Sequence, residues 1–421
     1  MNASAPPHGR QHGAATPASL IDPLLGLFAG LFQKVLDRID TGLAGGSIEV
    51  TLPDGRVRLL GARGAGPAAI VTLASWRSLL RLATRGSVGW YVAWSLGEWS
   101  SPDPVALFEL FVVNRATLGD AGRSEGLTKW VQRGWHRLHA NSRRRARRNI
   151  EFHYDLGNDF YSLWLDATMS YSSALFAEPV SEVELLEAAQ ATKLAAILDR
   201  TATVPGDTIL EIGCGWGSFV EVAARGGRRV QGITLSPEQA NAVKDRADRL
   251  GLDGVSVSLT DYRDVVGRYD AVASIEMVEA VGEEYWPAYL AAIARALKPG
   301  GRAALQYIAI DDAIFESYAS NVDFIQRYVF PGGMLLSERR FRAIAAEHGL
   351  AWQDRRGFGL HYAETLRRWR VAFDTAVAEG RLPARFDANF IGLWRYYLMY
   401  CEGGFRGGGI DVAQVTLVKA E

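Results

Sequence analysis

The sequence predicts an α/β protein, a doubly wound Rossmann-like domain behind a smaller α+β domain, and three observations predict it. From about Asn149 onward, apolar strand-like runs alternate with helical runs, the pattern of a parallel sheet covered by helices on both faces. A glycine-rich turn, LEIGCGWGSF, stands between the first of these strands and the helix that follows it. Ahead of it, residues 19–132 carry a hairpin signal and separate helices instead of that alternation. At roughly 100–200 residues per domain, 421 residues accommodate two or three such units.

Residues 1–18 are Pro, Gly, Ala, Ser and two His without periodicity, which reads as a flexible tail. From Ile21, IDPLLGLFAGLFQKVLDRI has apolar residues at helical spacing behind Asp22 as cap and Pro23 at the first helical position. SIEVTLPDGRVRLLG alternates around Pro53-Asp54-Gly55 and predicts a hairpin, AIVTLAS predicts a third strand, and a helix follows from Trp76. Trp76, Trp90, Trp94 and Trp99 fit aromatic core filling and a groove for an apolar ligand alike. In the second domain, 149–421, TILEIGCG, RRVQGITL, VSVSLTD, YDAVASIEM and RAALQYIAI read as buried strands. WGSFVEVAARG, SPEQANAVKDRADRLG and WPAYLAAIARALKPGG read as helices between them.

Composition narrows the function. Hydrophobic residues at 48% and charged residues at 22% exclude bulk disorder. A net charge of −1 gives the whole molecule no field that favours nucleic acid, so none is expected as a partner. Two cysteines, Cys214 and Cys401, form no disulfide framework, and no apolar leader opens the chain, so a cytoplasmic setting is expected. Apolar stretches such as Gly86 to Gly97 fall short of the ~20 residues that cross a bilayer. No metal-ligand pattern is present, and a homo-oligomer stays open.

Between Arg133 and Arg148 lie seven arginines and no acid, RGWHRLHANSRRRARR, a basic linker between the two domains. A solvated linker accounts for it. So does attachment to an anionic membrane surface at about 1 kcal/mol per basic residue, which would place the protein peripherally on the cytoplasmic membrane.

The glycine turn binds a ligand that approaches the backbone. Its spacing is G-x-G-x-G at Gly213, Gly215 and Gly217 behind Glu211, not the G-x-G-x-x-G of dinucleotide sites. The second strand ends in Thr234, Ser236 and Gln239 instead of a carboxylate, and no Gly-Lys-Ser/Thr follows the turn to cradle phosphate. S-adenosylmethionine fits these features best.

HYDLGNDFYSLWLDATMSYSSALF (153–176), LEIGCGWGSF (210–219), GITLSPEQ (232–239), SIEMVEAVG (274–282), FIQRYVFPGG (324–333), HYAETL (361–366) and YYLMYCEGGFRGGGIDVAQ (396–414) resemble, in order, the cyclopropane-fatty-acyl-phospholipid synthase family. The resemblance implies a class I methyltransferase domain behind a lipid-associated front domain. It also implies an enzyme that uses S-adenosylmethionine to methylate the cis double bond of an unsaturated phospholipid acyl chain. It places Tyr171 and Ser172 over the cofactor, Gly213, Gly215 and Gly217 at its methionine part, and Thr234 and Gln239 near its ribose. Asp261, Tyr262 and Ile275 fall near the adenine.

The family also holds a bicarbonate ion beside the sulfonium. Its expected ligands here are Glu279, Tyr362 and the backbone of Ile308. The family's Cys position reads Ser173, its His position reads Gln306, and Glu276 stands where a small residue is usual. An alkene attacks the sulfonium methyl and leaves a carbocation, and a base then removes one proton. Loss from the methyl closes a cyclopropane; loss from the chain leaves a methyl-branched olefin. Ser173 and Gln306 retain hydrogen-bonding capacity toward the ion, and Glu276 or Glu279 offers a direct base if burial raises its pKa. A methyltransferase of a small soluble acceptor and a catalytically silent lipid-binding protein are the alternative readings.

Overall fold

A computed structural model of the protein describes residues 29–119 and 156–421. The expected tail at 1–18, the first turns of the helix expected from Ile21, and the arginine run at 133–148 lie outside the described residues.

The front part opens with α1 (Ala29–Gly42) and a four-stranded sheet of β1 (Ser47–Thr51), β2 (Val57–Gly61), β3 (Ala68–Leu73) and β4 (Trp99–Ser100), in the order β2-β1-β3-β4. The hairpin at Pro53-Asp54-Gly55 forms as expected, with Glu49 opposite Leu59, and β3 joins β1 in parallel. Between β3 and β4 runs α2 (Arg77–Ser95), broken at Gly86, whose φ of 55° and ψ of −139° no helix accommodates. The next helix, α3 (Pro104–Val113), starts where Asp103 accepts the amide hydrogens of Val105 and Ala106 and Pro104 supplies a preset φ. A single turn, α4 (Arg115–Leu118), ends this part.

The second part begins with α5 (Asn158–Tyr161) and α6 (Leu186–Thr201). There follow β5 (Thr208–Ile212), α7 (Ser218–Arg225), β6 (Arg229–Thr234), α8 (Pro237–Leu250), β7 (Val255–Leu259) and β8 (Tyr269–Ile275). After α9 (Trp286–Ala296) and β9 (Leu297–Ile310), the chain adds α10 (Asp312–Ala319), α11 (Phe324–Tyr328), α12 (Glu338–Glu347) and β10 (Leu350–Gly357). It finishes with α13 (Gly359–Ala378), α14 (Ala388–Arg406) and β11 (Ile410–Lys419).

The seven-stranded sheet has the order β10-β11-β9-β8-β5-β6-β7. Its five central and edge strands from β9 to β7 are parallel, as the alternation predicts, while β11 runs antiparallel between β9 and β10. One expectation needs correction. VSVSLTD is not a buried strand but the sheet's edge, where β7 has one neighbour, β6, and Leu259 is half exposed. From β5 the chain crosses to β6 on one side and only later fills β8 on the other, so the carboxyl end of β5 is the switch point where open α/β sheets bind ligands.

A core running from Phe32 through Trp76, Trp90, Trp99 and Phe108 to Trp369, Trp394 and Tyr396 joins the front part to α13 and α14. Helix α14 lies close on α3: a Cβ at Gly403 would stand 2.5 Å from that of Phe108, and one at Gly407 2.6 Å from that of Val112. Ser87, just past the break in α2, donates to Asp323 at 2.6 Å, and Tyr400 donates to the same oxygen at 2.9 Å. These contacts fix the front helices over the sheet's active end.

Candidate active site

The turn after β5 has three left-handed glycines, Gly213 (φ 80°), Gly215 (φ 50°) and Gly217 (φ 85°). A side-chain carbon built on Gly215 would meet nothing within 4 Å, so space lies open over the turn. At the same strand end Glu211 is buried, and its Oε2 has no hydrogen-bond partner. Burial pushes this carboxyl up to about 8, with the nearby Lys193 ammonium opposing. A buried acceptor without a partner beside open space suits the ammonium-bearing end of S-adenosylmethionine. Next to it, Thr234 donates to Gln239 Oε1 at 2.7 Å where β6 passes into α8, and Ser236 caps that helix by accepting from the Gln239 amide at 3.2 Å. Asp261 is paired with Arg263 at 2.6 Å, Tyr262 is buried edge-on against Tyr289, and Ile275 closes β8.

Tyr171 and Ser172 come from the loop ahead of α6. The Tyr171 hydroxyl meets that of Tyr397 at 3.0 Å, and the Ser172 hydroxyl accepts from Lys193 Nζ at 2.6 Å. Lys193 is wholly enclosed; burial brings its pKa down to about 8 against the pull of Glu276, Asp166 and Glu211. Sequence reading missed both Lys193 and Gln190, which donates to the Ser172 carbonyl at 2.9 Å. The available signal was their place on the helix face that also carries the buried Leu194 and Ile197.

Three of the residues expected around an ion, Ser173, Gln306 and Tyr362, converge instead on Glu276. This residue follows β8 with a φ of 50°, unusual for a side chain other than Gly, Asn or Asp. Its Oε1 accepts from the Ser173 amide at 2.8 Å and from Gln306 Nε2 at 2.8 Å, and its Oε2 accepts from the Tyr362 hydroxyl at 2.7 Å. Glu279 Oε1 accepts from the Ile308 amide, while its Oε2 has no partner. Gln306 also donates to the Ser173 carbonyl at 3.2 Å, and the Ser173 hydroxyl donates to the Ala174 carbonyl at 3.0 Å. Both carboxyls are enclosed in the protein yet open to an internal cavity. Burial, then the charge of Glu276, pushes Glu279 up to about 8. Burial also raises Glu276, but its three donors and Lys193 oppose the rise. The two environments drive the carboxyls apart, leaving Glu279 the better proton holder and Glu276 the better acceptor.

The cavity has a volume of about 500 Å³ and passes from Tyr171, Glu276 and Glu279 between α14 and the front helices to Trp90 and Phe111. The tryptophans thus serve both readings left open by the sequence. Trp99 is core, stacked on Trp90 at 4.3 Å, and Trp90 also reaches the cavity wall. Among the described residues no cluster of His, Cys, Asp and Glu has the makings of a metal site, and no helix is long and apolar enough to cross a membrane.

Comparison with known proteins agrees with this geometry. Residues 141–415 match the family model of mycolic acid cyclopropane synthetase. The tuberculostearic acid methyltransferase UfaA1 of Mycobacterium tuberculosis is 38% identical over 347 residues, 80% of each chain. The cyclopropane-fatty-acyl-phospholipid synthase of Escherichia coli K12 is 36% identical over 269 residues, 63% of this chain and 66% of that one. Among solved structures, mycolic acid cyclopropane synthase CmaA1 complexed with SAH and CTAB superposes with a TM-score of 0.60 at 30% identity, covering 65% of this chain and 98% of its own. The glycine turn, the sheet order and these matches together place the chain in the mycolic acid cyclopropane synthetase family of S-adenosylmethionine-dependent methyltransferases.

Proposed function

We propose that this enzyme methylates the cis double bond of an unsaturated phospholipid acyl chain and releases a methyl-branched olefin instead of a cyclopropane. The observation that carries the lipid reading is the shared chamber: two buried carboxyls and the front helices line one largely apolar cavity, of a size and character for an acyl segment. S-adenosylmethionine supplies, when bound, an electrophilic methyl group. The chain's residues do the rest. The apolar wall keeps water from a cationic acyl carbon, and Tyr171 and Tyr362 contribute aromatic side chains to that wall beside the two carboxyls. Glu279, holding its proton, adds no second negative charge.

Two points support branching: the altered ion cradle, and a relative named as a tuberculostearic acid methyltransferase that covers more of this chain than the cyclopropane synthase does. The arginine run at 133–148 supports a peripheral seat on an anionic bilayer, from which acyl chains are drawn. Incubation with labelled cofactor and vesicles of cis-monounsaturated or fully saturated phospholipid tests the acceptor. Mass spectrometry is expected to find one added CH2 on the unsaturated chains alone. Methylation of a soluble amine or phenol with the lipids untouched contradicts the reading.

A further inference from the structure

Every donor that the family resemblance reserves for bicarbonate is already engaged inside the protein. The Tyr362 hydroxyl, the Ser173 amide and one Gln306 amide hydrogen go to Glu276; the other Gln306 hydrogen goes to the Ser173 carbonyl, and the Ile308 amide goes to Glu279. A bicarbonate ion here would face the Glu276 carboxylate and find only the proton of Glu279 Oε2 to donate to it in place of the engaged Tyr362, Ser173, Gln306 and Ile308 donors, and a buried anion so poorly matched is strongly disfavoured. The ion therefore does not fit this cradle. We propose that the carboxylate of Glu276 takes the ion's place and is the built-in base of the reaction.

The polarity of the network agrees. Arg200 Nε, a donor without ambiguity, gives a hydrogen bond to Gln414 Oε1 at 3.2 Å; Gln414 Nε2 donates to Gln306 Oε1 at 3.0 Å; Gln306 Nε2 is thereby turned to donate to Glu276. Glu276 is thus held as an acceptor, the form a base requires. Its φ of 50° matters too, because glycine adopts that conformation freely. A glutamate kept there carries strain that the three hydrogen bonds offset.

The step balances without a further reagent, and it rests on the alkene methylation proposed above. The π pair becomes the new carbon–carbon bond to the methyl, the pair of the broken sulfur–carbon bond stays on sulfur, and the neighbouring acyl carbon becomes cationic. A C–H bond next to that carbon then breaks, its electron pair forms the product double bond, and the proton goes to Glu276. It passes to solvent when the product leaves.

The test uses the full-length enzyme with dioleoyl phospholipid vesicles, in buffer freed of carbon dioxide and in buffer with added bicarbonate, for wild type, Glu276→Gln and Glu276→Gly. The expected results are a wild-type rate indifferent to bicarbonate and a loss of about a hundredfold or more in Glu276→Gln with S-adenosylhomocysteine affinity intact. In Glu276→Gly, where the backbone is relaxed and the cradle emptied, added bicarbonate restores part of the rate. Binding is read separately, by the line width of ¹³C-bicarbonate in NMR with S-adenosylhomocysteine present: Glu276→Gly broadens the signal and wild type does not. A wild-type rate that collapses without bicarbonate, a wild type that binds the ion, or a Glu276→Gln enzyme at full speed overturns the proposal. If wild type methylates no lipid in any arm, the proposed function fails and the base role with it, while the ¹³C titration still decides whether Glu276 fills the cradle.

Discussion

Gln414 donates its side-chain amide to Gln306 at 3.0 Å, directly across the register that pairs the two residues between β11 and β9. This contact orients Gln306 toward Glu276, so a residue that faces neither cofactor nor acyl chain sets the acceptor character of the site. Gln414→Leu frees Gln306 to turn and deprives Glu276 of a donor, which raises its pKa. The expected outcome is a rate about tenfold lower at neutral pH and an acid limb of kcat/KM displaced to higher pH, because hydrogen bonds to charged groups contribute about 1.5–3 kcal/mol. A purely structural role for Gln414 would lower stability and leave the pH profile in place.

The two active-site carboxyls are expected to differ sharply on substitution. Glu279→Gln keeps an acceptor for the Ile308 amide and replaces a group that is neutral anyway, so its rate should stay within about tenfold of wild type while Glu276→Gln falls about a hundredfold. Stability follows the same logic. Folding raises Glu279 from 4.5 to about 8, so the stabilisation it provides is complete below about 4.5 and is lost as pH rises toward 8. Glu279→Gln should therefore flatten the decline in melting temperature between about pH 5 and about pH 8. An unchanged slope would count against a protonated Glu279.

Much of this was legible in the sequence. The parallel strands, the glycine turn and the front hairpin rest on local periodicity and turn chemistry, which a linear sequence displays. The identities of Glu276, Ser173 and Gln306 departed visibly from the family's pattern. Their meaning was not visible, because it depends on Glu276 closing over Ser173 from a residue 103 positions away and on Gln306 meeting it from the neighbouring strand. Lys193, Gln190, Gln414 and Arg200 carried no motif; only burial against charged partners distinguishes them from helix and strand residues at large. The edge position of β7 escaped notice for a related reason, since an apolar run does not reveal how many neighbours a strand has.

The front helices line the same cavity as Glu276 and Glu279, so, if the acyl chain lies there as proposed, a change in them should alter lipid use without touching the cofactor. Phe111 on α3 lines the cavity and is only half buried. Phe111→Trp is expected to raise KM several-fold for long acyl chains, less for short ones, with S-adenosylhomocysteine affinity unchanged by calorimetry. Equal effects on all chain lengths would argue that the acyl segment does not reach α3.

Attachment to membranes should be electrostatic. Co-sedimentation with phosphatidylglycerol-containing vesicles is expected to be strong at low ionic strength and to fade toward 1 M salt, where the screening length shrinks from about 10 Å to about 3 Å. Replacing Arg143, Arg144, Arg145, Arg147 and Arg148 by Gln should remove most of the binding while leaving the turnover of detergent-dispersed lipid unchanged. Salt-insensitive binding, or no effect of the five changes, would refute an arginine-mediated seat.

The fate of the transferred carbon tests the whole account most directly. With ¹³C-methyl S-adenosylmethionine and a cis-monounsaturated phospholipid, the ¹³C NMR spectrum of the extracted lipid is predicted to show the label as a methyl group on a branch point at or beside the new double bond. A label found in the high-field CH2 of a cyclopropane ring would contradict the branching chemistry, and a lipid fraction without label would contradict the acceptor itself.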